Sequence, residues 1–146
     1  MSAGMSELTQ DRSSRPTVLV IEDDAVTRRV VAAIFAETEW DVIEAENGDE
    51  ALRVIASQPV DLILLDLTMP VLDGFAFLDC LNQDMRPSSQ AIPVVLLTGR
   101  SLSDRDRERF RGRVSLMVEK QSGPSGMHRQ LRAIAQAYRE SIGMQR

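Results

Sequence analysis

Short apolar runs recur along this chain, and each one ends on charged or hydroxyl side chains. Val18-Leu19-Val20-Ile21 runs into Glu22-Asp23-Asp24, and Leu62-Ile63-Leu64-Leu65 runs into Asp66. Pro93-Val94-Val95-Leu96-Leu97 ends at Thr98-Gly99, and Val114 to Val118 ends at Glu119-Lys120. Unbroken runs of this length predict strands covered on both faces. Asp41-Val42-Ile43-Glu44-Ala45 is more polar, as an edge strand should be.

Between the runs the apolar period changes to that of a helix. Ala25 to about Glu37 predicts a first helix, capped by Asp24, with Val26, Val30, Ala33 and Ile34 as its apolar stripe. Asn47-Gly48-Asp49-Glu50 has the form of a capping box and opens a second helix through Ala51, Leu52, Val54 and Ile55. Met69-Pro70 and Asp73-Gly74 turn the chain into a third helix at Phe75, which carries Phe77, Leu78 and Leu81. Ser103 with Asp106 can cap a segment reaching Arg111, but Phe110 is almost its only anchor, so this helix should be short or mobile. Gly123-Pro124-Ser125 precedes a last helix with Met127, Leu131, Ile134, Tyr138 and Ile142 on one stripe. Strand and helix alternate five times, which predicts a doubly wound parallel sheet with right-handed crossovers.

Composition narrows the class. At 146 residues the chain makes one domain with a sizeable core. We expect a disordered leader over 1–15, the folded domain over 16–142 and a short tail over 143–146. A net charge of −5 argues against a nucleic-acid binder relying on a general positive field. The single cysteine, Cys80, is expected to pack against the core and fits a reducing cytoplasm. No segment approaches the roughly 20 apolar residues of a membrane span.

The chemistry lies at the strand ends. In a parallel sheet Glu22-Asp23, Asp66, Thr98 and Lys120 converge at one mouth, where such sheets place their ligands. Three carboxylates so gathered repel one another and call for cations. With one His and one Cys in the chain, an all-oxygen pocket suits Mg²⁺. Lys120 adds a point charge and Thr98 a hydroxyl donor, which together meet the needs of a phosphoryl group. Asp66 is the carboxylate placed to attack phosphorus. The arginines at 105, 107, 109, 111 and 113 alternate with Asp104, Asp106 and Glu108, a pattern of a solvated or protein-docking face. His128 reads as a solvated histidine.

Val18 to Asp23, Asp66-Leu67-Thr68-Met69-Pro70 with Asp73-Gly74, Thr98-Gly99 and Lys120 together resemble the receiver domain of two-component response regulators. The resemblance covers roughly residues 16–140. It implies a CheY-like, flavodoxin-like sheet in the order 2-1-3-4-5. Asp66 would accept a phosphoryl group from a sensor histidine kinase or hybrid kinase. Asp23 would bind Mg²⁺ directly and Glu22 through water, with the Thr68 backbone carbonyl as a further ligand. Thr98 and Lys120 would contact the phosphoryl group. The module would not turn over an external substrate. Its phosphorylated form would bind a downstream protein through the 103–142 face, with dimerisation through the last helix left open. Two positions depart from the family pattern. Gln121 follows the lysine where proline is common, and Met117 stands where an aromatic switch residue is usual.

Two rivals remain on sequence grounds. An aspartate-nucleophile phosphatase of the haloacid dehalogenase type would carry a second acid where Thr68 stands. A pseudo-receiver used only for docking would not need the acid, threonine and lysine set. No output domain fits within the chain, so the expected effect passes through another protein, or this is a piece of a longer one.

Overall fold

The computed structural model describes residues 15–67, 71–83, 92–98, 102–120 and 123–145. Five strands, β1 (Thr17–Ile21), β2 (Asp41–Ala45), β3 (Leu62–Leu67), β4 (Val94–Thr98) and β5 (Leu116–Glu119), form one sheet. Its order is β2-β1-β3-β4-β5, and every neighbouring pair runs parallel. The connecting helices are α1 (Ala25–Glu37), α2 (Gly48–Ser57), α3 (Val71–Gln83), α4 (Asp104–Arg111) and α5 (Pro124–Gln145). This is the doubly wound architecture that the alternation of apolar runs predicts, in the flavodoxin-like strand order that the family resemblance implies.

Pleat alternation divides the core between the two faces of the sheet. Val18, Val20, Leu62, Leu64, Val95 and Leu97 face α1 and α5 through Val31, Ile34, Phe35, Leu131 and Ala135. Leu19, Ile21, Ile63, Leu65 and Leu96 face α2, α3 and α4 through Ile55, Phe75, Leu78, Leu81 and Phe110. The helices that follow β1 and β3 therefore leave on opposite faces. A crevice opens between those two strands at their carboxyl ends.

The caps follow from sequence. The Asn47 side chain accepts the Glu50 N–H at 2.8 Å, and Ser103 accepts that of Asp106 at 3.1 Å. At the end of α1, Glu39 sits in the left-handed region with φ 68°. The Trp40 N–H reaches Phe35 O and the Glu39 N–H reaches Ala36 O, a Schellman closure sealed by Phe35 against Trp40 at 5.6 Å. The Trp40 indole then donates to Ala135 O at 3.0 Å, joining this turn to α5.

Asp24 caps α1 by accepting the hydroxyl and the N–H of Thr27 at 2.6 and 2.8 Å. These two bonds, the hydroxyl first, hold its carboxyl below the ordinary 3.8. A carboxylate with a lowered folded value lends stability that is complete above its unfolded value and is lost as pH falls through the folded one. Unfolding of Asp24→Asn, followed between neutral pH and pH ~3, should therefore show a shallower acid limb than wild type. An identical limb would remove Asp24 from the acid response.

Several expectations are corrected. The buried stripe of α1 is Val31, Ala32, Ile34 and Phe35, whereas Val26 and Val30 are 72% and 45% exposed and Ala33 is exposed. This helix carries apolar residues on two stripes, and the one bearing the larger Ile34 and Phe35 goes inward. Helix α3 begins at Val71, so Asp73 and Gly74 lie in its first turn and not before it. A Cβ at Gly74 would stand 2.8 Å from Leu67 Cδ1, so glycine serves a close helix–strand approach here and does not break the helix. Strand β5 begins at Leu116, not Val114, because Val114 N–H still bonds back to Phe110 O behind α4. Cys80 is exposed rather than packed in the core, since α3 turns Leu78 and Leu81 inward instead. Helix α5 also continues past Ile142 to Gln145. The expected leader lies outside the described residues but for Arg15. Among the described residues no helix is long and apolar enough to cross a membrane.

Candidate functional site

Asp66 is the next-to-last residue of β3 and is fully buried. Strand pairing alone would favour an apolar residue there, as Leu97 is in the facing register on β4. The Lys120 Nζ lies 2.6 Å from Asp66 Oδ1 and the lysine side chain is 15% exposed, so the pair closes over the strand end from the β5 side. The Lys120 backbone N–H continues the sheet by donating to Thr98 O at 2.8 Å, which fixes where its side chain starts. The ion pair is close but poorly angled for a hydrogen bond. Neither Asp66 oxygen has a hydrogen-bond partner among the described residues.

Glu22 follows β1 directly and is fully buried. Its N–H donates to Ala45 O at 3.1 Å, and its Oε1 accepts the Asp24 N–H at 3.0 Å. Asp23 is exposed and lines a cleft of about 410 Å³ with Asn47, Gly48, Asp49, Asp73 and Phe77. Thr98 is buried at the end of β4, in register with Leu67 on one side and Glu119 on the other. Thr68 lies outside the described residues. Met117 is half-buried and packs against the cluster that contains Phe75 and Phe110.

The structure thus brings Asp66 and Lys120 into contact and sets Glu22 and Thr98 on the adjoining strand ends. Among the described residues no three acidic, histidine or cysteine side chains converge as a ready-made metal cage. Magnesium needs none, since it takes one or two carboxylates and keeps several waters. The residues fit such an ion on two grounds: the donors are all oxygen, and a buried carboxylate beside them is unsatisfied as an acceptor.

One residue of this region escaped the sequence reading. Arg28 donates through Nη1 to Glu22 O at 2.8 Å and through Nε to Glu44 Oε1 at 3.1 Å. An arginine in the first turns of a helix otherwise reads as a solvated cation, and only the acid at the neighbouring strand end hinted at a partner. His128, by contrast, is 45% exposed and lies 3.6 Å from the Glu37 carboxylate on the outer side of α5. An open groove of about 720 Å³ runs along the same helix past Arg129 and Arg132, away from the conjunction of acids.

A doubly wound sheet with a buried acid–lysine pair at its carboxyl ends defines an α/β module of the kind that places its ligands at that mouth. The family model described as response regulator receiver domain matches residues 18–132, and the chain belongs to that family. It is 37% identical over 102 residues to the hybrid signal transduction protein dokA of Dictyostelium discoideum, covering 68% of this chain and 6% of that protein. It is 35% identical over 92 residues to the autoinducer 1 sensor kinase/phosphatase LuxN of Vibrio harveyi, covering 63% of this chain and 10% of that one. The transcriptional regulatory protein AruR of Pseudomonas aeruginosa is 36% identical over 91 residues, at 59% and 35% coverage. The chain therefore spans about a third or less of the curated relatives named here. Among solved structures, the phosphorylated cyanobacterial phytochrome response regulator RcpA superposes with a TM-score of 0.73 at 22% identity, over 87% of this chain and 96% of that one. The Mn²⁺-bound form of response regulator Rcp1 gives 0.72 at 24% identity, over 86% and 96%. The chain is a receiver domain of the two-component type, a signalling module.

Proposed function

We propose that Asp66 is the phosphoacceptor of this receiver, and that its phosphorylation changes which protein the module binds. The observation that carries this is a fully buried carboxylate with unsatisfied oxygens, held against the Lys120 ammonium at the ligand crevice of the sheet. Asp66 Oδ2, the oxygen turned away from the lysine contact, attacks the phosphorus of a phosphohistidine. The new O–P bond forms as the P–N bond breaks, and the electron pair leaves with the imidazole. Lys120 then pairs with the phosphoryl oxygens in place of the carboxylate, and the Thr98 hydroxyl donates to one of them. Glu22, Asp23, Asp66 and the Thr68 carbonyl would hold Mg²⁺, which supplies charge neutralisation of the phosphoryl group.

The donor is a sensor or hybrid histidine kinase, a reading supported by relatives named as a hybrid signal transduction protein and a sensor kinase. The Mn²⁺ in the Rcp1 structure supports a divalent ion at the acid cluster. No catalysis on an external metabolite is proposed, and the module works in the cytoplasm. The acyl phosphate carries about −1.5 to −2 charge beside Lys120 and Thr98, where the free carboxylate carried a single one. The response reaches a partner protein through the 103–142 face by population shift.

Intact-mass analysis after incubation with acetyl phosphate and Mg²⁺ tests the assignment. Wild type should gain one phosphoryl mass and Asp66→Asn none. A gain in the variant equal to that of wild type would reject Asp66 as the acceptor.

A further inference from the structure

We propose that Arg28 is a positioning residue of the acidic pocket: its guanidinium fastens the Glu22 main chain to the end of β2 and so sets the pocket's affinity for a divalent cation. The inference rests on the reading of Glu22, Asp23 and Asp66 as the cation-holding set. Strand β1 ends at Ile21, so Glu22 and Asp23 occupy a turn outside the regular ladder. Among the contacts that hold that turn are these. Glu22 N–H bonds to Ala45 O, Glu22 Oε1 takes the Asp24 N–H, and Glu22 O takes Arg28 Nη1 at 2.8 Å.

The last contact differs in kind, because it is charge-assisted and comes from a side chain anchored elsewhere. Arg28 Nε simultaneously meets Glu44 Oε1 at 3.1 Å, and Glu44 is in register with Val20 on the adjacent strand. Two nitrogens of one rigid fork therefore span the ends of β1 and β2. The Arg28 side chain as a whole is only 14% exposed, and its bond to Glu22 O is part-buried, so water competes weakly for that contact. A lysine ammonium is a single point on a flexible stem and cannot hold both oxygens in that planar arrangement. Rotation of the Glu22 peptide would re-aim the Glu22 and Asp23 side chains together.

The sign of the effect separates this role from a simple field effect. A cation beside a divalent-ion pocket repels the incoming ion, so loss of Arg28 by Coulomb repulsion alone would tighten binding. Positioning predicts the reverse, since outer partners that orient ligands are worth about 10–100-fold in metal affinity. The experiment is Mg²⁺ titration of the whole chain without phosphodonor, followed by backbone amide shifts, on wild type, Arg28→Lys, Arg28→Met and Asp66→Asn. Both Arg28 variants should bind Mg²⁺ about tenfold more weakly. With acetyl phosphate they should label slowly at limiting Mg²⁺ and at the wild-type rate at saturation.

Unchanged or tighter binding in Arg28→Met, or wild-type affinity in Arg28→Lys, would overturn the proposal even if either variant melts earlier. Should Arg28→Met fail to fold, the milder Arg28→Lys decides. A wild type with no saturable Mg²⁺ response, or an Asp66→Asn that binds as wild type does, would instead overturn the underlying reading of the pocket and this inference with it.

Discussion

Lys120→Met should destabilise the fold by about 3 kcal/mol in metal-free buffer, while Asp66→Asn should cost little or even stabilise. The asymmetry follows from where the two charges sit. Asp66 has no solvent exposure and no hydrogen-bond partner among the described residues, so the ammonium at 2.6 Å is its main compensation. Removing the lysine leaves an ionised carboxylate in a low-dielectric strand end, a cost set by desolvation and not by the pair's own worth. Removing the acid leaves Lys120 at 15% exposure, able to swing its amine to water. Combining the two changes should recover most of the loss, giving a large coupling term in a double-mutant cycle by urea unfolding. Equal losses in the two single variants, or additive losses in the double, would mean the buried pair is not what strains this site. The strain has a functional reading. A carboxylate kept short of partners is stabilised by whatever brings cations or donors to it, which is the condition that the proposed role of Asp66 as phosphoacceptor needs.

How much of this was legible depends on whether a residue's role is set along the chain or across it. The apolar runs closed by acids, hydroxyl or lysine announced the sheet and its mouth, because burial on both faces leaves few alternatives to a strand. Asp66 stood out by interrupting such a run. Lys120 was legible only through order and company, since its partner lies in another strand. Of the stripe expected for α1 only Ile34 is buried, because apolar residues at 26, 30 and 33 and at 31, 34 and 35 both satisfy helical spacing, and only packing chooses between them. Gly74 looked like a breaker because its reason, the approach of Leu67 and Phe110, is tertiary. Arg28 was missed for the same cause: its carbonyl partner at Glu22 is six residues away in sequence but is presented by a turn that the sequence does not specify.

Phe110→Ala should cost about 3–4 kcal/mol and should strip hydrogen-exchange protection from residues 104–111 before any other helix. Every other residue of α4 is charged or exposed, and Phe110 is the only one buried. Its ring stacks on Phe75 of α3 with centroids 4.1 Å apart and planes at 17°, the one buried anchor of α4 on α3 among the described residues. Arg109 lies 3.8 Å from the Phe75 centroid and Arg113 5.8 Å, and Arg113 also pairs with Asp79 of α3. These exposed cationic contacts are worth about 0.5–1 kcal/mol each and cannot hold the helix once the ring is gone. Phe75→Leu, which keeps most of the volume but loses the stack, should cost only about 1–1.5 kcal/mol beyond a simple size change. If Phe110→Ala left α4 protection intact, the helix would have a second anchor outside the described residues. The consequence for signalling follows from position. Phe75 lies on the helix that leaves β3 after Asp66, and Gly74 lets that helix press against Leu67 and the Phe110 ring together. A shift at the end of β3 would therefore meet α4 through packed side chains.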